Sequence, residues 1–161
     1  MNKITNTLFI FLFTSFSFKA SAELDHFQEK LKEVLEDPYF NGRWVDSWGN
    51  MVTVKNEVTF PAPCHINFHG VKASKLSTYK LSANLDFSAN NFERVEKSLS
   101  SNSVKLVLTD NIVESSIINH QRGTQNFYQE KIVSFFYTTQ DQNEFYEVLI
   151  DTLRNYYKYC E

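Results

Sequence analysis

Glycine is too scarce and too scattered in this chain for several common chemistries. Four glycines occur in 161 residues, Gly42, Gly49, Gly70 and Gly123. None sits in a G-x-S-x-G nucleophile elbow or in a phosphate-cradling loop. No H-E-x-x-H or C-x-x-C is present, so the common zinc and redox signatures are missing. No run of basic residues occurs, and acidic residues outnumber basic ones 19 to 16. That excludes the electrostatic footprint of a nucleic-acid or anionic-membrane binder. Beyond the first eighteen residues no long apolar run follows, and no N-x-[ST] acceptor occurs anywhere.

What is present begins with "MNKITNTLFIFLFTSFSFKASAELDHF". Lys3 supplies a positive start, Leu8 to Phe13 is unbroken apolar sequence, and Ala20-Ser21-Ala22 offers small residues for cleavage. This is the three-part pattern of a secretory signal peptide over residues 1–22. A membrane span needs about 20 mostly apolar residues, more than Lys3 and Lys19 leave between them. No cysteine flanks the cleavage site, so a lipid anchor there is not expected. The expectation is a periplasmic or secreted protein whose residues 23–161 form a single domain. Without Lys3 and Lys19 its basic residues fall to 14 and its formal charge becomes −5.

In an oxidising compartment the two cysteines, Cys64 and Cys160, suggest a bridge. Read as a strand, residues 64–69 place Cys64, Ile66 and Phe68 on one face and His65, Asn67 and His69 on the other. Pro61, Pro63 and Gly70 punctuate the segment. In "DQNEFYEVLIDTLRNYYKYC", Phe145, Leu149, Leu153 and Tyr156 recur at helical spacing, with Val148 and Thr152 beside them. Asp141 and Glu144 resemble a capping box. Cys160 projects within about 20° of Leu149 and Leu153, so both cysteines face the core. Closing so long a loop contributes about 4–5 kcal/mol on the chain-entropy account. The cysteine–histidine cluster is therefore read as a disulfide end and not as a metal site. His65 and His69 sit about 13 Å apart on a strand.

Residues 24–36 read as an amphipathic helix with Leu24, Phe27, Leu31, Val34 and Leu35 on one stripe, stopped by Asp37-Pro38. Gly49-Asn50 marks a hairpin turn. "STYKLSANLDF" alternates cleanly between apolar and polar residues, as a half-buried strand does. "SVKLVLTD", "IVESSII" and "KIVSFFYTT" read as shorter strands, and "NHQRGTQN", residues 119–126, as a hairpin loop. "NNFERVEKSL" fits a short helix with Phe92, Val95 and Leu99 inward. The class is α+β: a twisted antiparallel sheet or half-barrel of about 6–7 strands, with helices at both ends of the chain.

That element order resembles pleckstrin-homology-like barrels. Gly42-Arg43-Trp44 resembles the glycine-x-tryptophan that opens lipocalin barrels, where a strand cysteine bridged to a C-terminal one also occurs. These resemblances imply a PH-like or calycin-like architecture and no function.

No catalytic set stands out. Asp46, Asp86 and Asp110 read as turn and strand-edge carboxylates, Trp44 as core. The expected function is non-enzymatic: an exported domain that binds another protein, such as an inhibitor or an immunity protein neutralising a toxin or hydrolase. Its acidic charge suits a basic partner. No cofactor and no metal are expected. The candidate contact residues are Trp48, His65, Asn67 and His69. One rival reading is a carrier of a small apolar ligand in a curled-sheet pocket. Another is a hydrolase using His65, His69 and Asp86.

Overall fold

Leu81, Ala83 and Leu85 are buried while Lys80 and Asn84 face solvent, and this alternation locates the main sheet. The computed structural model describes residues 22–46, 49–89, 92–98, 102–110, 112–138 and 143–160. The leader segment, the Asp141 cap, Trp48 and Leu99 lie outside the described residues, as do the side chains of Glu144 and Phe145. Helix α1 covers residues 22–36. Nine strands follow: β1 Gly42–Val45, β2 Met51–Thr59, β3 His65–Ser74, β4 Ser77–Asp86, β5 Phe92–Ser98, β6 Ser103–Leu108, β7 Val113–Asn119, β8 Thr124–Glu130 and β9 Ile132–Phe136. A 3-10 turn, Phe87–Ala89, follows β4, and helix α2, Asn143–Cys160, comes last.

The fold is α+β, as expected. The strands form two open antiparallel sheets, ordered β1-β2-β3-β4-β7-β8 and β5-β6-β9. Strand β9 lies over β2, β3 and β4, so the core sits between the sheets. Phe68 of β3 meets Phe135 of β9 at 4.4 Å between ring centres. Helix α2 packs on β5, β6 and the 3-10 turn. Its Leu149, Leu153 and Tyr156 are fully buried, whereas Val148 is exposed. Helix α1 buries Leu24, Leu31 and Leu35 and reaches α2 through Phe27, 6.0 Å from Tyr159.

Three sequence readings need correction. The helix expected over "NNFERVEKSL" is strand β5. Its register slips between Phe92 and Arg94. A bulge inserts one residue, so Phe92 and Val95 face inward at a spacing of three and mimic a helical period. Second, the hairpin connection expected over 119–126 does join two paired strands, but it is shorter than expected: β7 runs to Asn119 and β8 begins at Thr124. β8 has no apolar alternation to announce it, because residues Thr124 to Gln129 are all exposed.

Third, β3 starts after Cys64 and continues through Gly70 to Ser74. Gly70 does not end the strand. It leaves room for the Phe68 ring, which a side chain there would meet at 3.0 Å. Cys64 is not a strand residue. It has φ 59°, in a turn closed by His65 N–H donating to Ala62 C=O at 3.1 Å. Pro63 followed by a left-handed residue is the pattern of a type II turn. The bridge itself is as expected: Cys64 and Cys160 are joined, with α-carbons 5.6 Å apart.

The Asn56 side chain, 2% exposed, makes three hydrogen bonds to backbone groups in the core. Its Nδ2 donates to the carbonyls of Phe40 and of Phe136, the latter at 2.8 Å. Its Oδ1 accepts from Phe136 N–H at 3.1 Å. One amide thus holds both backbone groups of Phe136, as a neighbouring strand would. Asn41 does the same to Asn56: Oδ1 accepts from Asn56 N–H at 2.7 Å and Nδ2 donates to Asn56 C=O at 3.2 Å. Asn41 Nδ2 also donates to Leu35 C=O at the end of α1.

Two stability predictions follow from these contacts. Asn56→Leu strands Phe40 C=O and both groups of Phe136, and urea unfolding will show a loss of about 3 kcal/mol or more; a loss under about 1 kcal/mol would mean that the relay is dispensable. With the bridge removed in both proteins, Cys64→Gly/Cys160→Ala will be about 1 kcal/mol more stable than Cys64→Ala/Cys160→Ala, because glycine tolerates a left-handed backbone. Equal midpoints would disprove the left-handed assignment.

Candidate functional site

The side chains of His65, Asn67 and His69 project from the face of β3 opposite Ile66 and Phe68. The register spreads them along the sheet: His65 lies beside Asp86, Asn67 between Thr59 and Asn84, and His69 between Glu57 and Ser82. His65 Nε2 stands 3.5 Å from Asp86 Oδ2, and its Nδ1 contacts Pro63 C=O at 2.8 Å. The Asp86 carboxyl is held below its ordinary range, first by the Ser88 hydroxyl, then by Ser88 N–H and the nearby His65. His69 stands four register pairs further along β3, opposite Ser82. His65, His69 and Asp86 therefore do not converge, and the hydrolase arrangement has no common cleft. No group of three His, Cys, Asp or Glu residues among those described is placed to share a metal ion.

Asn67 and His69 instead form part of a groove of about 350 Å³. Its floor and one wall come from β2 and β3, with Lys55, Glu57 and Thr59 beside Asn67 and His69. The facing wall is the end of α1, with Lys32, Leu35 and Glu36. Both walls carry paired charges. Lys55 and Glu57 form an ion pair on the sheet, and Lys32 and Glu36 one on the helix at 3.8 Å. The Glu57 carboxyl lies below its usual range, chiefly through the hydrogen bond and charge of Lys55, with a smaller contribution from His69. Asp110 and Asp46 lie elsewhere: Asp110 is exposed after β6, and Asp46 accepts from Asn50 N–H at 2.8 Å inside the β1–β2 turn.

Sequence reading found Asn67 and His69 but missed Lys32, Glu36, Lys55 and Glu57. One signal was there. Lys55, Glu57 and Thr59 alternate with Asn56 and Val58, so the polar face of β2 could have been placed beside that of β3. That α1 faces them is a tertiary fact.

A second polar cluster sits at the far end of the main sheet. Lys72 Nζ lies 5.7 Å from the ring centres of both Trp44 and Phe136, a cation–π arrangement. Burial pulls its ammonium pKa down. Tyr79 hydroxyl donates to Glu130 Oε1 at 3.3 Å, and Ser115 hydroxyl donates to the same oxygen. Trp44 is packed against the core as expected.

No family model matches the chain, and neither the curated proteins nor the solved structures yield a match.

Four phenols titrate late. Burial pushes Tyr39 and Tyr79 up to about 12 and raises Tyr137 and Tyr156 as well. A folded pKa above the unfolded one gives stability that is complete below the unfolded value near 10 and is lost as pH climbs through the folded value. Melting temperature will therefore fall between about pH 10 and pH 12, with tyrosinate absorbance rising in step with unfolding. Lys72 works in the opposite sense, one group against four. A melting temperature flat across that window would contradict the burial of these rings.

Proposed function

We propose that the chain is an exported, non-enzymatic binding protein that engages another protein through the groove between α1 and the polar face of β2–β3. The observation that carries the reading is the groove itself. It is open, it is large enough for two or three side chains of a partner, and it offers paired positive and negative groups around the half-buried Val58. Interfaces combine such polar rims with a small apolar floor. The covalent staple between Cys64 and Cys160 supports export, since such bonds persist in oxidising compartments. The groove's own charges cancel. Any steering toward a basic partner would come from the excess of acidic over basic residues in the whole chain. An inhibitor or immunity protein is the kind of molecule this profile fits best: small, stapled, acidic, and with an open groove between helix and sheet. The volume would also admit a small molecule, but its lining of lysine, glutamate, asparagine and histidine suits a polar peptide group better than an apolar ligand.

The test is affinity capture from an envelope extract of the source cells, with the mature chain as bait. A stoichiometric partner will be retained by the native chain and by Arg154→Glu on α2, and released by His69→Glu and by Lys55→Glu. No stoichiometric partner, or a partner held equally by all four baits, would end the proposal.

A further inference from the structure

Edge strands of a sheet carry unpaired N–H and C=O groups, and folds ordinarily blunt them. Two of the edges here are blunted. β1 has only four residues, one of them Arg43. β5 carries Glu93, Arg94, Glu96 and Lys97 and a bulge. β8 has neither device. It is seven residues long, its single charge is Glu130 at the end, and it lacks proline and lysine. Among the described residues it pairs with β7 alone. Both of its faces are open: Phe127 is 75% exposed and Tyr128 44%, and Ile117 beside them on β7 is 38% exposed.

We propose that β8 is the dimerisation edge of this protein and that its partner is β8 of a second copy, running antiparallel about a two-fold axis at Phe127. The backbone direction sets the register. His120 N–H donates to Leu76 C=O on the β4 side. Antiparallel pairing alternates, so Asn119 faces β8 and bonds Thr124. Asn126 and Tyr128 then bond β7, and Gln125, Phe127 and Gln129 present their N–H and C=O outward. Centring the axis on Phe127 pairs it with itself and pairs Gln125 with Gln129, which closes about six hydrogen bonds. A second copy fits better than an unrelated strand for two reasons. The segment from Thr124 to Gln129 carries no charge, so self-pairing meets no repulsion. The hairpin tip bears Arg122 and the base bears Glu130, and an antiparallel partner sets each tip beside the other's base. The contact is isologous and closes at two copies. It lies three strands from β3, so the groove remains free.

Sedimentation and light scattering on the native chain, over a concentration series into the high micromolar range, will show a monomer–dimer equilibrium. Phe127→Pro removes one outward N–H without touching the bonds to β7, and Phe127→Lys sets two like charges face to face. Both will be monomeric with the native melting temperature. Phe127→Cys will form a covalent dimer on mild oxidation, because opposed residues in such a pair stand about 5.5 Å apart. Gln129→Cys will not, since its mate is displaced by four residues. A native chain that stays monomeric throughout, a dimer unchanged by Phe127→Pro and Phe127→Lys, growth beyond two copies, or crosslinking through Gln129→Cys would each overturn the assignment.

Discussion

Beneath the ring packing between the two sheets, a buried amide side chain ties one to the other by hydrogen bonds. Strand β9 is hydrogen-bonded to β6 along one side, and at Phe136 its backbone turns toward β2, where no strand can reach it. The Asn56 side chain fills that place, offering a donor and an acceptor to the two groups of Phe136. An unpaired peptide group in the core costs several kcal/mol, so the residue at position 56 must be one that both donates and accepts. Glutamine would be a methylene too long, aspartate would bury a charge, and leucine would leave three backbone groups orphaned. Asn41 completes the arrangement by binding the Asn56 backbone in the same two-bond manner. Helix α1, β1, β2 and β9 are thus held by two asparagines.

The disulfide acts at the opposite end of the same core. Cys64 sits where β3 begins, and its carbonyl accepts from Phe87 N–H at 2.9 Å as β4 ends. Around the bridge stands a cluster of rings: Tyr156 against Phe87 and Phe60, Tyr157 against Phe92 and Phe87, and Tyr159 against Phe27. α2 therefore brings together α1, the second sheet and the start of β3. A cysteine in the left-handed region is disfavoured by about 1–2 kcal/mol. The bridge and the ring cluster hold it there, which is why the turn does not need glycine.

How much of this could be read in advance depended on periodicity. β4 and the inward face of β3 were legible because Leu81, Ala83, Leu85, Ile66 and Phe68 keep a strict period of two. α2 was legible because Leu149, Leu153 and Tyr156 keep a helical one. The bridge followed from those two elements, even though Cys64 reaches it from a turn. β5 was misread because a bulge converts period two into an apparent three, and β8 because a strand exposed on both faces has no pattern. Asn41 and Asn56 were invisible for a different reason. An asparagine in a sequence looks like a turn or surface residue, and only the tertiary partner reveals it as core.

The groove follows from the same asparagines. Asn41 must turn inward to reach Asn56, and Gly42, whose missing side chain would collide with Pro38 C=O, passes too close to the α1–β1 connection to shift. β1 therefore cannot extend backward past its pairing of Gly42 with Val54. From Lys55 to Thr59, β2 is paired on its β3 side alone. Asn56 turns its N–H and C=O toward Asn41, and strand alternation turns those of Val58 the same way, into a side that β1 does not reach. Helix α1 ends at residue 36, tied to β2 through Asn41 Nδ2, which donates to both Leu35 C=O and Asn56 C=O. The gap that results is lined by whatever β2, β3 and α1 present to it, and they present paired lysines and glutamates with His69 and Asn67. A groove at this place is thus a consequence of how the core satisfies its backbone. Any change that lengthened β1 would close the groove only by breaking the relay beneath it.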